Sequence, residues 1–150
     1  MKTNIALAGV IAPVDILKSV LEDLSNGRIS EAVDPFDDQF EFIDQALGLE
    51  FTEKARLSQF FQKSRELFPD TTVKVVSTFE CGDHIIAEWM ITATQTAPYL
   101  GLPARLPISF AGASVVRVED GRITRWTDYY DKGMSWRMSL AAFFKEWIEI

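Results

Sequence analysis

The chain is poor in the residues that most metal and redox sites require. Its 150 residues include one cysteine, Cys81, and one histidine, His84. One cysteine cannot close an internal disulfide or build a cysteine-rich zinc site, and one histidine cannot make a two-histidine zinc motif. His84 adjoins a turn and reads as a solvated structural residue. Cys81, in that turn, does not read as a nucleophile. Positive charge is scarce as well: 15 Lys and Arg against 22 Asp and Glu leave a net charge of −7. A nucleic-acid binder needs a basic face, so that class is set aside. Arg117, Arg122 and Arg125 are expected on an outer surface, in salt bridges or an interface. Long apolar runs are also missing, and nothing approaches the ~20 residues of a membrane-spanning helix. The apolar stretch at residues 5–14 is short, is cut by Pro13 and leads directly into an amphipathic helix, so it is not read as a signal peptide. The expectation is a soluble cytoplasmic protein with no nucleic-acid or membrane partner and no metal.

Apolar residues, by contrast, are plentiful at 47%, with 12% aromatic. That suffices for one domain over residues 1–150 with a closed core. Pro13 followed by Asp15 marks a helix start. Val14, Leu17, Val20, Leu21 and Leu24 recur at helical spacing, and Asn26-Gly27 supplies the stop. A short second helix is expected over residues 29–33, ended by Pro35. In residues 36–44 the apolar positions alternate with polar ones, which predicts a strand. After a loop through Gly48, Thr52 is expected to cap a helix with Leu57, Phe60, Phe61, Ser64, Leu67 and Phe68 as its inner stripe.

From Thr71 the period changes to two. Strands are expected over residues 71–80, 84–96, 108–118 and 122–130, with a Pro/Gly-rich loop at residues 97–107 and a hairpin at Asp120-Gly121. Trp136, Leu140, Phe143, Phe144, Trp147 and Ile148 predict a C-terminal amphipathic helix. Helices segregated on one face of a curved antiparallel sheet make an α+β fold. Four or five strands wrapped over helices would leave a cone-shaped cavity.

Strand alternation then selects the side chains that share the cavity. Ile85, Ala87, Trp89 and Ile91 fall on one face, with Phe110, Gly112, Ser114 and Val116 beside them. Thr124, Trp126, Asp128 and Tyr130 complete that face, whereas Glu88 points away. An aspartate facing apolar walls loses hydration, which raises its pKa and suits it to general acid or base work. Asp128 is that candidate; the alternative is a strand-end carboxylate bonded to a backbone amide. Asp44 ends the first strand on the face of Phe40 and Phe42, and reads either as a second acid/base group or as a turn-forming aspartate. As a pair, Asp44 would approach Asp128 from the opposite wall of the cone. Trp89, Phe110, Ser114, Trp126, Tyr130 and Phe42 are candidate ligand contacts. Tyr99 is a candidate cover for the cavity mouth or an anchor for its loop. Met90, Ala111, Ala113 and Val115 make the other face apolar enough to predict a homodimer through it.

Residues 94–131 carry a recognisable set of motifs: Gly101-Leu102-Pro103-Ala104, Asp120-Gly121-Arg122-Ile123 and Trp126-Thr127-Asp128-Tyr129-Tyr130-Asp131. The set resembles the SnoaL-like branch of the nuclear transport factor 2 superfamily, and the element order fits over nearly the whole chain. The resemblance implies a cystatin-like roll, sheet-to-sheet homodimers and chemistry on small apolar molecules without a cofactor. Relatives of that kind include SnoaL-type polyketide cyclases, limonene epoxide hydrolase, ketosteroid isomerase and scytalone dehydratase, together with non-catalytic transport and scaffold proteins. It aligns Asp128 with an aspartate of limonene epoxide hydrolase and with an acid/base residue of SnoaL-type cyclases. Asp44 takes the place of the ketosteroid isomerase base. Two departures stand out. The Arg-x-Asp pair of limonene epoxide hydrolase is replaced by Trp89 and Ile91. The oxyanion Tyr and Asp of ketosteroid isomerase correspond to Val20 and Ser114. The leading expectation is a small cofactor-free isomerase, cyclase or epoxide-hydrolase-like enzyme using Asp128 and Asp44. The alternatives are a non-catalytic small-molecule binding module and a dimeric protein-interaction scaffold.

Overall fold

The computed structural model describes residues 11–96, 104–105 and 107–131. Tyr99, residues 101–103 and the helix expected over residues 136–148 lie outside the described residues. Helix α1 (Pro13–Ser25) opens on proline, whose missing N–H costs nothing in a first helical turn. It buries Leu17, Val20 and Leu21 of the expected stripe together with Ile16, while Val14 and Leu24 pack partly buried against the core. Its stop is also as expected: Asn26 is the C-cap and Gly27 takes a left-handed φ of 73°. Helix α2 (Ile29–Val33) follows, and α3 (Lys54–Leu67) packs nearby. Thr52 does not cap α3. Glu53 is the N-cap, in extended conformation and without a side-chain cap bond. The helix is held instead near its other end, where Arg65 Nη1 donates to the carbonyls of Ser25 at 3.0 Å and Thr71 at 3.2 Å. Ser25 ends α1, where carbonyls lack intrahelical partners, so the guanidinium satisfies one of them and complements the α1 dipole.

The strands are β1 (Phe36–Asp44), β2 (Leu49–Phe51), β3 (Thr72–Cys81), β4 (His84–Thr94), β5 (Pro107–Glu119) and β6 (Arg122–Tyr130). They form one sheet in the order β2-β1-β6-β5-β4-β3. Among the described residues the strand count is therefore six, not four or five; β2 adds a short hairpin partner to β1. The sheet is also not wholly antiparallel: β1 runs parallel to β6. Period-two alternation reports which face a residue takes, not the direction of the neighbouring strand. The meander β3 to β6 leaves one edge of β6 open, and the long intervening chain serves as the crossover that a parallel pair needs.

The core lies between the helices and the inner sheet face. Leu17, Val20, Phe36, Phe42, Leu57 and Trp126 are fully buried in it. Phe42 and Trp126, Cα partners in the parallel ladder, stack with ring centroids 6.3 Å apart. Truncating Phe42 to alanine would cost about 3–5 kcal/mol, since so large a void cannot fully collapse. On the outer face Val76, Phe79, Ile86 and Tyr129 are exposed. The three arginines are exposed and engaged: Arg117 with Asp83 and Glu119, Arg125 with Glu41, and Arg122 with the Asp34 carbonyl. Among the described residues no helix is long and apolar enough to cross a membrane.

Candidate active site

A cavity of about 840 Å³ lies between the inner sheet face and the helices. Its walls include Phe42, Asp44, Trp89, Phe110, Ser114, Trp126, Asp128 and Tyr130, so every candidate site residue within the described part of the chain lines one space. Tyr99 lies outside that part. The strand register explains the convergence. Asp44, Asp128, Ser114 and Ala87 form one row across β1, β6, β5 and β4. Tyr130, Gly112 and Trp89 form the next inward row. One correction follows. Asp44 does not face Asp128 from the opposite wall; the two are Cα partners on adjacent parallel strands.

The polar groups of the row are joined by hydrogen bonds. Trp89 Nε1 donates to Ser114 Oγ at 2.9 Å, and Ser114 Oγ donates to Asp128 Oδ1 at 2.5 Å. Trp126 Nε1 donates to the same Oδ1 at 2.6 Å. Asp44 is served separately: Tyr130 OH donates to its Oδ2 and the Leu47 N–H to its Oδ1, both at 2.8 Å. Asp44 is only 3% exposed, so these donors replace the water that its carboxylate has lost. The turn-forming reading of Asp44 is thus correct as geometry, and it coexists with the cavity position. The backbone-amide alternative for Asp128 is not what the structure contains, since its carboxylate is bonded to side chains.

Burial pushes the Asp128 carboxyl up to about 7, and the neighbouring Asp44 carboxylate adds to the rise; the Ser114 and Trp126 donors pull the other way. At neutral pH the group is therefore poised between its two forms. The chemistry of the donors also assigns its proton. An indole nitrogen can only donate, so Trp126 requires a lone pair on Oδ1, and Trp89 occupies a lone pair of Ser114 Oγ. Ser114 is fully buried and has no other acceptor among the described residues. Its single hydrogen belongs on Oδ1. The proton of the neutral acid consequently sits on Oδ2, which has no hydrogen bond among the described residues. No described buried side-chain oxygen lacks a partner, so Oδ2 is not sealed in protein. It opens into the cavity.

The walls around this group are aromatic on both sides. Trp89, Phe110 and Tyr130 are in mutual ring contact, with centroids 5.2 to 6.1 Å apart. On the other side Phe42 contacts Phe60, Phe61 and Trp126. One buried polar lining residue was missed in the sequence, Gln95. It continues the inward set 85, 87, 89, 91 and 93, and a polar residue at the end of an apolar alternation was the available signal. Among the described residues no three His, Cys, Asp or Glu side chains converge to hold a metal.

The model of the SnoaL-like domain matches residues 17–126, most of both the helical layer and the sheet. The chain belongs to the SnoaL-like domain family. This SnoaL-like chain matches no curated protein by sequence, and its solved structural neighbours are distant in sequence but close in fold. IdmH, a proposed polyketide cyclase from Streptomyces antibioticus, is 18% identical over 86% of this chain and 98% of its own, with a TM-score of 0.76. A protein with a ketosteroid isomerase-like fold from Catenulispora acidiphila, solved with trimethylamine, is 18% identical over 83% and 92%, TM-score 0.74. An LEH-like epoxide hydrolase of M. tuberculosis is 17% identical over 92% and 96%, TM-score 0.72. The SnoaL-like chain thus has the nuclear transport factor 2-like, ketosteroid isomerase-like fold.

Proposed function

We propose that the chain is a cofactor-free enzyme that moves a proton on an apolar small molecule, with Asp128 as the acid–base group. Isomerase, cyclase and epoxide-hydrolase-like reactions all contain such a step. The observation that carries this reading is the position of Asp128 on the wall of an apolar cavity, with both of its neutral donors on Oδ1; burial there lifts its carboxyl to about 7. A group with a pKa near the working pH is the most effective proton shuttle. The aromatic walls favour a ligand with extended apolar surface and a single polar atom placed against Oδ2. In this reading Asp44 orders Tyr130 and keeps the proton on Asp128 by its charge.

The test begins with native mass spectrometry of the purified protein, to identify copurified small molecules. Incubation of such a ligand in D2O should then incorporate deuterium, and Asp128→Asn should abolish the exchange. Exchange that survives in Asp128→Asn sinks the acid–base assignment. A second reading, a non-catalytic binding module with the same cavity, is favoured by one observation. Val20 is fully buried in the core, and the Ser114 hydroxyl is committed to Asp128, so neither supplies an oxyanion donor to a ligand. Binding with neither conversion nor exchange would select that reading.

A further inference from the structure

Trp89 lies across Gly112, its Cα partner in the β4–β5 ladder. A Cβ placed on Gly112 would sit 2.3 Å from Trp89 Cη2 and 2.7 Å from Cζ2 and Cζ3. No real carbon contact is that short, so any side chain there would lift the indole off the sheet. The backbone of Gly112 is not in the left-handed region; glycine is needed for closeness alone. The ring so admitted reaches Ser114 Oγ, two residues along β5, with its N–H at 2.9 Å. A phenyl ring would fill much of the same space. What tryptophan adds is a donor that cannot accept.

We propose that Gly112 and Trp89 are positioning residues for the acid–base group: the indole N–H holds the Ser114 hydrogen on Asp128 Oδ1 and thereby reserves Oδ2 for the proton exchanged with the ligand. This rests on Asp128 being that group. The indole bond also polarises the serine hydroxyl, which makes it a stronger donor to the carboxylate. Without it the hydroxyl is a weaker donor and has a free lone pair that can accept from the acid, so Oδ1 is held less firmly and the proton is no longer confined to Oδ2. Among the described residues, the titratable and charged groups around the cavity besides Asp128 are Asp44 on β1, Tyr130 on β6, Asp131 just beyond it, and Lys63 and Arg65 on α3. The lining residues of β4 and β5 are all uncharged, so Trp89 and Ser114 act on Asp128 through hydrogen bonding and not through charge.

The decisive measurement is the titration of the Asp128 carboxyl by carbon-13 NMR. Trp89→Phe keeps an aromatic ring but removes the N–H, and its midpoint should rise by about half a unit; Ser114→Ala should raise it by about one unit. Gly112→Ala displaces the indole and should move the midpoint in the same direction. An unchanged or lowered midpoint in a folded Trp89→Phe protein overturns the proposal, even if its melting temperature falls, since packing alone would do that. The proposed function is tested separately by deuterium exchange in Asp128→Asn. Its failure leaves the NMR result standing, and an unmoved midpoint leaves the exchange result standing.

Discussion

Asp83 and Asp128 each have two side-chain partners, and their acidities move in opposite directions. Asp83, in the β3–β4 turn, accepts from Arg117 Nε at 2.9 Å and lies 2.7 Å from His84 Nδ1. The Arg117 hydrogen bond, helped by His84, holds its carboxyl below the usual range. Asp128 takes neutral donors, Ser114 and Trp126, and has another carboxylate for a neighbour. There desolvation wins and the carboxyl rises to about 7. The number of hydrogen bonds does not decide the outcome. A cationic partner in water favours the charged form, whereas neutral partners in an apolar cavity only partly offset the loss of hydration.

The largest expected effect comes from Asp128→Asn. The carboxamide oxygen can take the place of Oδ1 and the amide NH2 that of the protonated Oδ2, so the variant copies the neutral acid. It should fold, yet lose about 10²–10⁴-fold in turnover of a confirmed substrate. A drop below tenfold would leave Asp128 no acid–base role. The same substitution should flatten the pH dependence of stability. Asp128 has a folded pKa above its unfolded value, so between about pH 4 and pH 7 the folded chain retains a proton that the unfolded chain has released. Stability therefore falls as pH rises through that window, by at most about 4 kcal/mol, and levels off above it. Urea titrations at several pH values should show this slope in the parent and not in Asp128→Asn; parallel slopes would mean that the group titrates normally.

A smaller effect is expected from Asp44→Asn. Removing the like charge beside Asp128 should lower its NMR midpoint by about one unit, and a rise would show that Asp44 acts through structure alone. The smallest belongs to Asp83→Asn. Its carboxyl is exposed and ion-paired, so its contribution is present above the unfolded carboxylate range and lost as pH falls through the depressed folded value. Solvent screens such pairs, and the melting temperature should drop slightly at low salt and not at high salt. A large, salt-independent drop would erase the contrast with Asp128.

Most of the fold was legible because it is written in period. The α1 stripe, the β1 bounds at residues 36–44 and the β4–β5–β6 meander follow from spacing and from turn signals such as Asp120-Gly121. Alternation on β6 put Trp126, Asp128 and Tyr130 on one face, and the cavity has them there. What was not legible is partnership between strands. β2 has three residues, too few to show a period. The parallel join of β1 to β6 has no local signature, which is why Asp44 was expected across the cavity and stands beside Asp128 instead. The Trp89–Ser114 bond likewise depends on which residues oppose one another across β4 and β5, and on a glycine whose significance appears only once the indole lies over it.

The parallel join also bears on how the chain folds. Tyr130 and Asp44, bonded across it, are 86 residues apart in sequence. The β3–β4 and β5–β6 hairpins can close locally and early, but the β1–β6 ladder must close a loop of most of the chain, and such distant pairings are slow to form. The carboxylate pair is thus absent from any intermediate built of hairpins and helices alone. Recovery of the Asp128 titration on refolding, followed against recovery of helical and strand signal, should lag behind both.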